Sequence, residues 1–353
     1  MRRVLSAVVL VLFSLGGLFA VHLLSVARLK TRLAEERAAL ARLEVKHTLS
    51  RPIHDNGFQC LKLLLDVTRP DAASAFETAA PEETQGDALR SQVAGAAAWV
   101  QGVRECASSA RVTFVDGLSP DQPDARARGL LRTVIPRLFH FTAAELRLLL
   151  ADQQPGLALE RCTASLSLAV DLSQLGADGV EVTRGGLEAL APGCARALAA
   201  AKPEERAEIA KAWSAIPTRM VTAPQLVARE RLAGTVRWFG AAADLPGAPG
   251  PQGFVPRLRH ARAALDFDAA MRNAQTEPTR ADALERVKAA LPADAGTFDL
   301  ARALGRREEA SELLTVLLAV ALDDKSERPR AVRTDAQVTW TPASGAPVVL
   351  PLR

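Results

Sequence analysis

The chain has 353 residues, of which 48% are hydrophobic and 24% are charged, enough for a targeting segment and one large or two small domains. Aromatic residues make up only 4% and tyrosine is absent, so the core must rely on Leu, Ala and Val, which suits packed helices better than sheets. The net charge of +4 is small and the basic residues are mixed with acidic ones, which argues against a nucleic-acid partner.

The N-terminus combines a basic start with a long uncharged segment. After Met1-Arg2-Arg3, which we predict to be a cytoplasmic tip, residues 4–27 carry no formal charge. At about 1.5 Å per residue this run exceeds the roughly 30 Å hydrocarbon core of a bilayer, whereas a cleaved signal peptide has an apolar region of about 7–15 residues. The run therefore predicts an uncleaved transmembrane signal-anchor. Ser25-Val26-Ala27 has the small–x–small form of a signal-peptidase site, so secretion after cleavage at Ala27 is the alternative.

Heptad-like spacing continues from the apolar run into residues 28–51. The seam consists of His22, Leu29, Leu33, Leu40 and Leu43. This spacing predicts a coiled-coil-like helical stalk and a homodimer formed through it. The alternative is a single amphipathic helix packed on its own domain. His22 then either faces a protein partner or is tolerated near the membrane interface.

Two signals bear on the side of the membrane, and they conflict. The Arg-Arg start and the even cysteine count favour export, while the basic residues from Arg28 to Lys46 pull the other way under the positive-inside rule. We expect a single-pass protein of a bacterial inner membrane with the bulk of the chain on the periplasmic side.

The cysteines are Cys60, Cys106, Cys162 and Cys194, and none belongs to a C-x-x-C or a Cys/His cluster. This spacing does not fit a zinc site. In an exported chain an even count favours disulfides, and we expect sequence neighbours to pair, as Cys60–Cys106 and Cys162–Cys194. The other pairings, and buried free thiols, stay open at this point.

Residues 57–323 read as a succession of helices. A capping box formed by Thr142 and Glu145 predicts a helix that begins at Thr142, and Gln154-Pro155-Gly156 predicts its end. Further helices are predicted at Leu157–Leu175, Thr183–Ala201, Glu204–Ile216, Pro224–Gly240, Arg257–Asn273, Arg280–Leu291 and Arg307–Asp323. The Pro- and Gly-rich residues 243–256 predict either a boundary between two lobes or a loop over a cleft.

The tail, residues 324–353, changes character. Alternating apolar residues around Ser344-Gly345 predict a two-stranded β-hairpin that packs Trp340 and Val349 on the helices. The expected fold is therefore all-α: a single transmembrane helix, a stalk, a multi-helix bundle and a small C-terminal hairpin.

Two loose resemblances concern architecture. Ala143–Gly176 resembles a tetratricopeptide-type hairpin in its two-helix form and in Ala158, but it lacks that pattern's Trp, Gly and closing Pro, and no period near 34 recurs. The whole chain also resembles a class of bacterial envelope proteins with an N-terminal anchor, Leu/Ala/Arg-rich helices and a closing P-x-S-G-x-P hairpin. The residues that carry it are Pro342, Ser344, Gly345 and Pro347. That class has no settled function, so this resemblance implies an architecture alone.

No motif with recognisable chemistry occurs. The chain lacks G-x-S-x-G, H-E-x-x-H, a P-loop and G-x-G-x-x-G. We read Gly185-Gly186 as a turn or close-packing point, His54-Asp55 as a solvated turn, His140 as part of a helix entry and Asp268–Arg272 as a surface salt bridge. We expect no catalytic residues, no cofactor and no metal.

The predicted function is that of a membrane-anchored envelope protein acting in protein–protein interaction, as a scaffold or accessory subunit. Its predicted partners are the bilayer and an unknown protein. A helical ligand-binding sensor is one alternative and requires an apolar cavity between helices. An envelope hydrolase with an unrecognised site is another and requires a polar cleft with a perturbed acid or base.

Overall fold

The computed structural model describes residues 2–45, 86–107, 132, 135–243, 253–293, 295, 298–343 and 345–352. The helices are α1 (Arg2–Val45), α2 (Gly86–Ala107), α3 (Ile135–Ala151), α4 (Pro155–Leu172), α5 (Ala177–Ala200), α6 (Pro203–Ser214), α7 (Ala223–Phe239), α8 (Phe254–Thr276), α9 (Ala281–Ala290) and α10 (Leu300–Ala321). Short 3₁₀ turns follow α4, α6 and α7 at Ser173–Leu175, Pro217–Arg219 and Gly240–Ala243. The strands are β1 (Ala331–Arg333), β2 (Gln337–Trp340) and β3 (Val348–Pro351). Helices dominate, which confirms the predicted all-α class with its long apolar first helix.

The chain divides into two compact units. Unit 1 comprises residues 1–43, 120–123 and 223–301, and unit 2 comprises residues 44–119, 124–222 and 302–353. The described part of unit 1 therefore contains α1, α7, α8 and α9. Unit 2 contains α2 to α6, α10 from residue 302 onward, and the sheet.

Helix α5 is the centre of unit 2, because it packs against α3, α4 and β3. Its inward residues Leu187, Leu190 and Ala191 are fully buried. Glycines allow the close approach of α3: a Cβ on Gly186 would lie 2.6 Å from the ring of Phe139, and one on Gly193 would lie 2.9 Å from Leu146. The prediction that the Gly185-Gly186 pair marks a close-packing point is thus confirmed at Gly186.

A disulfide joins α4 to α5 through Cys162 and Cys194, whose Cα atoms are 5.7 Å apart. Both cysteines are completely buried in the core of unit 2. This pair confirms one of the two expected bridges. The other prediction, Cys60–Cys106, involves side chains outside the described part of the chain.

Helix α3 begins earlier than its capping signal suggests. It starts at Ile135, so Thr142 lies inside the helix and is buried, and the prediction of a helix start there was wrong. Apolar packing explains the difference: Ile135, Leu138 and Phe139 are buried in the core one to two turns before Thr142. Tertiary burial overrode the local capping preference.

The C-terminal sheet has three antiparallel strands in the order β1-β2-β3, one more than the predicted hairpin. Val338 pairs with Leu350 and Trp340 pairs with Val348, and these side chains are buried together. Trp340 thus packs inward as predicted. Val349 does not: it points to the opposite face and is 39% exposed. Side chains alternate along a strand, so the neighbours of Val349 are the buried ones.

Aromatic contacts hold α7 to α8 in unit 1. The ring of Phe267 lies 5.7 Å from that of Trp238 and 5.5 Å from that of Phe239. A Cβ on Gly234 would lie 2.7 Å from Phe267, so this glycine lets the α7 backbone approach the ring. The face of α8 that is buried in this unit includes the small residues Ala261 and Ala264.

Candidate functional site

Residues 8–21 of α1 expose mostly apolar side chains around the whole circumference of the helix. Six consecutive residues, Val8 to Phe13, are each between 49% and 81% exposed. Consecutive helical residues point about 100° apart, so no face of this stretch is packed on protein. The helix is long and apolar enough to cross a membrane, and none of its apolar window is buried.

Beyond this stretch, α1 packs on its own unit. Val26, Leu29 and Leu33 are buried, and Leu29 is only 1% exposed. Leu29 and Leu33 line a small gap of about 10 Å³ together with Leu232 and Thr235 of α7. Leu29 and Leu33 therefore pack against their own domain, as the alternative of a single amphipathic helix predicts. The side chains of Leu40 and Leu43 lie outside those described, and the homodimer through the stalk stays a prediction.

His22 faces a residue of its own chain. Its ring lies 5.8 Å from that of Phe254, the first residue of α8, in an edge-on arrangement. Phe19 stacks on the same ring at 6.2 Å. The Nδ1 atom of His22 is buried and has no hydrogen-bond partner. The apolar helix thus meets α8 at the level of these two residues.

Further along the same two helices, a buried ion cluster links α1 to α8. Asp268 on α8 is 3% exposed and receives the guanidinium of Arg32 from α1. Arg231 on α7 lies 3.4 Å from Asp268, and Arg272 donates to it at 3.1 Å. The predicted Asp268–Arg272 pair exists, but its carboxylate is buried and not at the surface. One signal of this was present in the sequence, since Arg32 lies between Leu29 and Leu33, which share the buried face of α1.

A cavity of about 350 Å³ opens between α3 and α5 in unit 2. Its wall is formed by Arg132, Pro136, His140, Asp178, Glu181, Val182 and Gly185. Arg132 donates to Asp178 at 2.8 Å, and Glu181 lies 3.4 Å from Arg306. The carboxylates at its rim are therefore compensated by arginines. His140, predicted as part of a helix entry, is an exposed residue on the wall of this cavity.

The carboxylate of Glu309 in α10 lies at the centre of a buried polar cluster and accepts its hydrogen bonds. It is 2.7 Å from Arg184 and 3.0 Å from Arg306, and it accepts the backbone N–H of Ala343 at 2.9 Å. Burial opposes its ionisation, but the Arg306 hydrogen bond, the Arg184 charge and the Ala343 amide together hold the pKa of Glu309 below its ordinary value. The cluster thereby fixes the turn between β2 and β3 onto α5 and α10. At Gly345 in that turn φ is +126°, which favours glycine.

A groove of about 430 Å³ runs along the end of α10 and the sheet. Its apolar wall comprises Val316, Ala319, Val320, Ala331, Val332 and Val338, and charged residues from Asp324 to Arg328 form one rim. Val332 is 68% exposed. The Ser326 hydroxyl and amide donate to Asp324, and Arg328 adds its charge, so the pKa of Asp324 lies below its ordinary value. The groove therefore combines one exposed apolar side chain, Val332, with fixed charges.

Polar contacts also fix the last residues of unit 2 before α7. Asp171 pairs with Arg219, Ser173 accepts the N–H of Val221 at 3.0 Å, and Gln174 donates to the Arg219 carbonyl at 2.7 Å. Burial raises the pKa of Asp171 to about 6 despite the opposing charge of Arg219.

Among the described residues, no group of His, Cys, Asp and Glu is arranged to hold a metal ion.

Known protein families, characterised proteins and solved structures show no significant match to this chain.

Proposed function

We propose that this chain is a single-pass protein of a bacterial inner membrane whose helical bundle acts in protein–protein contact, as a scaffold or accessory subunit. The observation that carries the proposal is the division of α1. Residues 8–21 are almost all apolar and are exposed on all sides, whereas the turns from Val26 to Leu33 have one face buried in unit 1. This exposure is favourable only in nonpolar surroundings, because exposing so much apolar area to water is costly.

The bulk of the chain lies on the periplasmic side in this proposal. The Cys162–Cys194 bridge supports that orientation, because disulfides persist in oxidising compartments and are rare in the cytosol. The short Arg2-Arg3 end then stays in the cytoplasm.

Protein contact is supported by the groove beside the sheet. Val332 exposes a large apolar side chain in this groove, and Leu322 exposes another just after α10. An apolar centre with a charged rim is the composition typical of a recognition surface.

Anchoring is tested by fractionating cells and reading the mature N-terminus by mass spectrometry. We expect an intact N-terminus in the membrane fraction that resists alkaline extraction. A soluble species that starts at Arg28 would refute the anchor.

Protein contact is tested with a photo-crosslinking residue at Lys325, on the groove rim, in living cells. We expect a discrete heavier adduct that Val332→Asp abolishes. The matched control carries the same probe at Glu208, an exposed residue of α6, and should form no such adduct. Equal products at both positions, or none at Lys325, would contradict the proposal.

The cavity between α3 and α5 favours a second candidate, the ligand-binding sensor. Its volume of about 350 Å³ lies within the range of small-molecule sites. A Cβ on Gly185 would meet open space, so Gly185→Leu should fill the cavity without a clash with the backbone. Saturation-transfer NMR with indole as the probe should detect binding to the wild-type chain in nanodiscs and a loss of binding in this variant. Equal signals from both chains would exclude this cavity as the binding site.

A further inference from the structure

We propose that the amino-terminal end of α8 is a second membrane contact, in which Phe254, Val255 and Pro256 enter the bilayer beside α1 and Arg257 and Arg259 bind anionic lipid headgroups. We call the first three residues the apolar wedge. This inference rests on the anchoring proposed above and adds a surface that the anchor alone does not require.

The position of the wedge follows from its contacts with α1. Phe254 touches Phe19 and His22, with ring centroids 6.2 and 5.8 Å away. The exposed apolar residues of α1 continue past this level to Leu24. At about 1.5 Å per residue, Phe19 lies roughly 7 Å inside the end of that apolar surface. Any bilayer that covers α1 as far as Leu24 must therefore also surround Phe254.

The direction of α8 is fixed by a second contact further along. Arg32 of α1 meets Asp268 of α8, so both helices run the same way from the level of Phe19. The wedge is consequently the deepest part of α8, and the rest of the helix leads away from the apolar region with α1.

The exposure and charge of the wedge fit this environment. Val255 is 51% exposed, and no charged residue occurs between Gly253 and Pro256. Arg257 and Arg259 follow at once and are exposed. They lie about 4.5 and 7.5 Å further along the helix axis than Phe254, so Arg259 reaches about the level of Leu24, where the apolar surface of α1 ends. From there the long arginine side chains extend toward the headgroups. An apolar tip followed by basic residues is the arrangement of interfacial membrane contacts.

The experiment uses the full chain in vesicles of phosphatidylcholine and phosphatidylglycerol, with an environment-sensitive NBD label at Val255→Cys. Some of the lipid carries a nitroxide quencher, placed either near the headgroup end or near the middle of the acyl chain. We expect blue-shifted emission that the shallow quencher reduces more than the deep one. The parent chain without the added cysteine, treated with the same reagent, gives the background from the native cysteines.

Two further labels separate the possible failures. Leu15→Cys lies within the exposed apolar part of α1, and its label should be quenched most by the deep nitroxide; loss of that signal would refute the anchor itself. Val332→Cys lies in unit 2, and its label should not be quenched. A quenched Leu15 label with an unquenched Val255 label would overturn the wedge alone. Blue-shifted emission at Val255 without lipid quenching would indicate a protein partner or a second copy, and would equally overturn it.

The basic part is tested by the double variant Arg257→Glu/Arg259→Glu. We expect it to reduce shallow quenching at Val255 at least twofold in the anionic vesicles, and to have no effect in vesicles of phosphatidylcholine alone. Equal quenching of the two chains in anionic vesicles would refute the assignment of these arginines to anionic headgroups.

Discussion

At the scale of single residues, three buried carboxylates connect separate elements of the fold. Glu309 holds the β2–β3 turn, Asp268 holds α1 to α8, and Asp171 holds the segment before α7. Each carboxylate is buried and each meets arginine. A buried charge loses hydration, and its partners must compensate for that loss, so such sites respond strongly to substitution and to pH.

Asp171 should make unit 2 more stable in mild acid. Its pKa is raised from 3.8 to about 6 in the folded chain, so the folded state binds the proton more tightly than the unfolded state. The stabilisation is complete below about pH 4 and is lost as the pH rises through about 6, a change of about 3 kcal/mol at most. Denaturant unfolding of the wild type and Asp171→Asn across this range measures it. The difference in unfolding free energy between the two chains should change with pH, and a difference that stays constant would show that Asp171 does not titrate. Asp335→Asn, at an exposed carboxylate, should follow the wild type.

Glu309→Gln should loosen the β2–β3 turn. The substitution removes the charge that compensates Arg184 and Arg306, at a cost of about 3–5 kcal/mol for a broken buried pair. Hydrogen exchange at the Ala343 amide and along β3 should accelerate by more than tenfold. Because the pKa of Glu309 is lowered on folding, the wild type should lose the same protection as the pH falls through the acidic range. Glu308→Gln, on the exposed side of α10, is the control, and equal exchange in both variants would contradict this role.

At the scale of elements, small residues decide how closely helices approach. Gly186 and Gly193 face Phe139 and Leu146, two turns apart on both α5 and α3. This spacing brings the two helices into contact along one line. The adjacent Gly185 serves no such purpose, since its side faces open space at the cavity.

Gly186→Ala and Gly185→Ala should therefore have opposite effects. A methyl group at Gly186 would lie 2.6 Å from the Phe139 ring, and overpacking of this kind costs about 1–3 kcal/mol. At Gly185 the methyl meets nothing within 4 Å, and replacing glycine within a helix gains about 0.5–1 kcal/mol. Thermal unfolding of the two variants measures the difference. A stabilised Gly186→Ala would show that α3 is not packed on α5 as described.

The disulfide should stabilise the contact between α4 and α5. It closes a separation of 32 residues, and the chain-entropy account gives about 3–4 kcal/mol for such a loop. The double variant Cys162→Ala/Cys194→Ala should unfold at correspondingly lower denaturant concentration than the oxidised wild type. Adding reductant to the wild type should reproduce most of the loss, and it should not affect the double variant further. Insensitivity of the wild type to reductant would contradict a structural role for the bridge.

At the scale of the whole molecule, the pattern of apolar residues predicted more than the polar residues did. Helices such as Ala223–Phe239 and Ala281–Ala290 lie within a few residues of their predicted bounds, because burial on one face repeats with the helical period. The contacts of Arg32 with Asp268 and of Glu309 with Ala343 join residues far apart in the chain. No local spacing encodes such pairs. The cavity wall likewise combines α3 and α5, and His140 alone gave no signal of it.

The apolar helix α1 is also coupled to the rest of its unit. The ion cluster at Asp268 lies where α1 has left the apolar region, and it joins α1, α7 and α8. Asp268→Asn should leave its arginines without a carboxylate, and α1 should open more often from unit 1. Hydrogen exchange in nanodiscs should then rise at least tenfold around Leu29 and Leu33, since breaking a buried pair costs about 3–5 kcal/mol. Asp266→Asn removes only an exposed pair with Arg262 and should change exchange little. If both variants exchange alike, the apolar seam of Val26, Leu29 and Leu33 holds α1 on unit 1, and the Asp268 cluster does not.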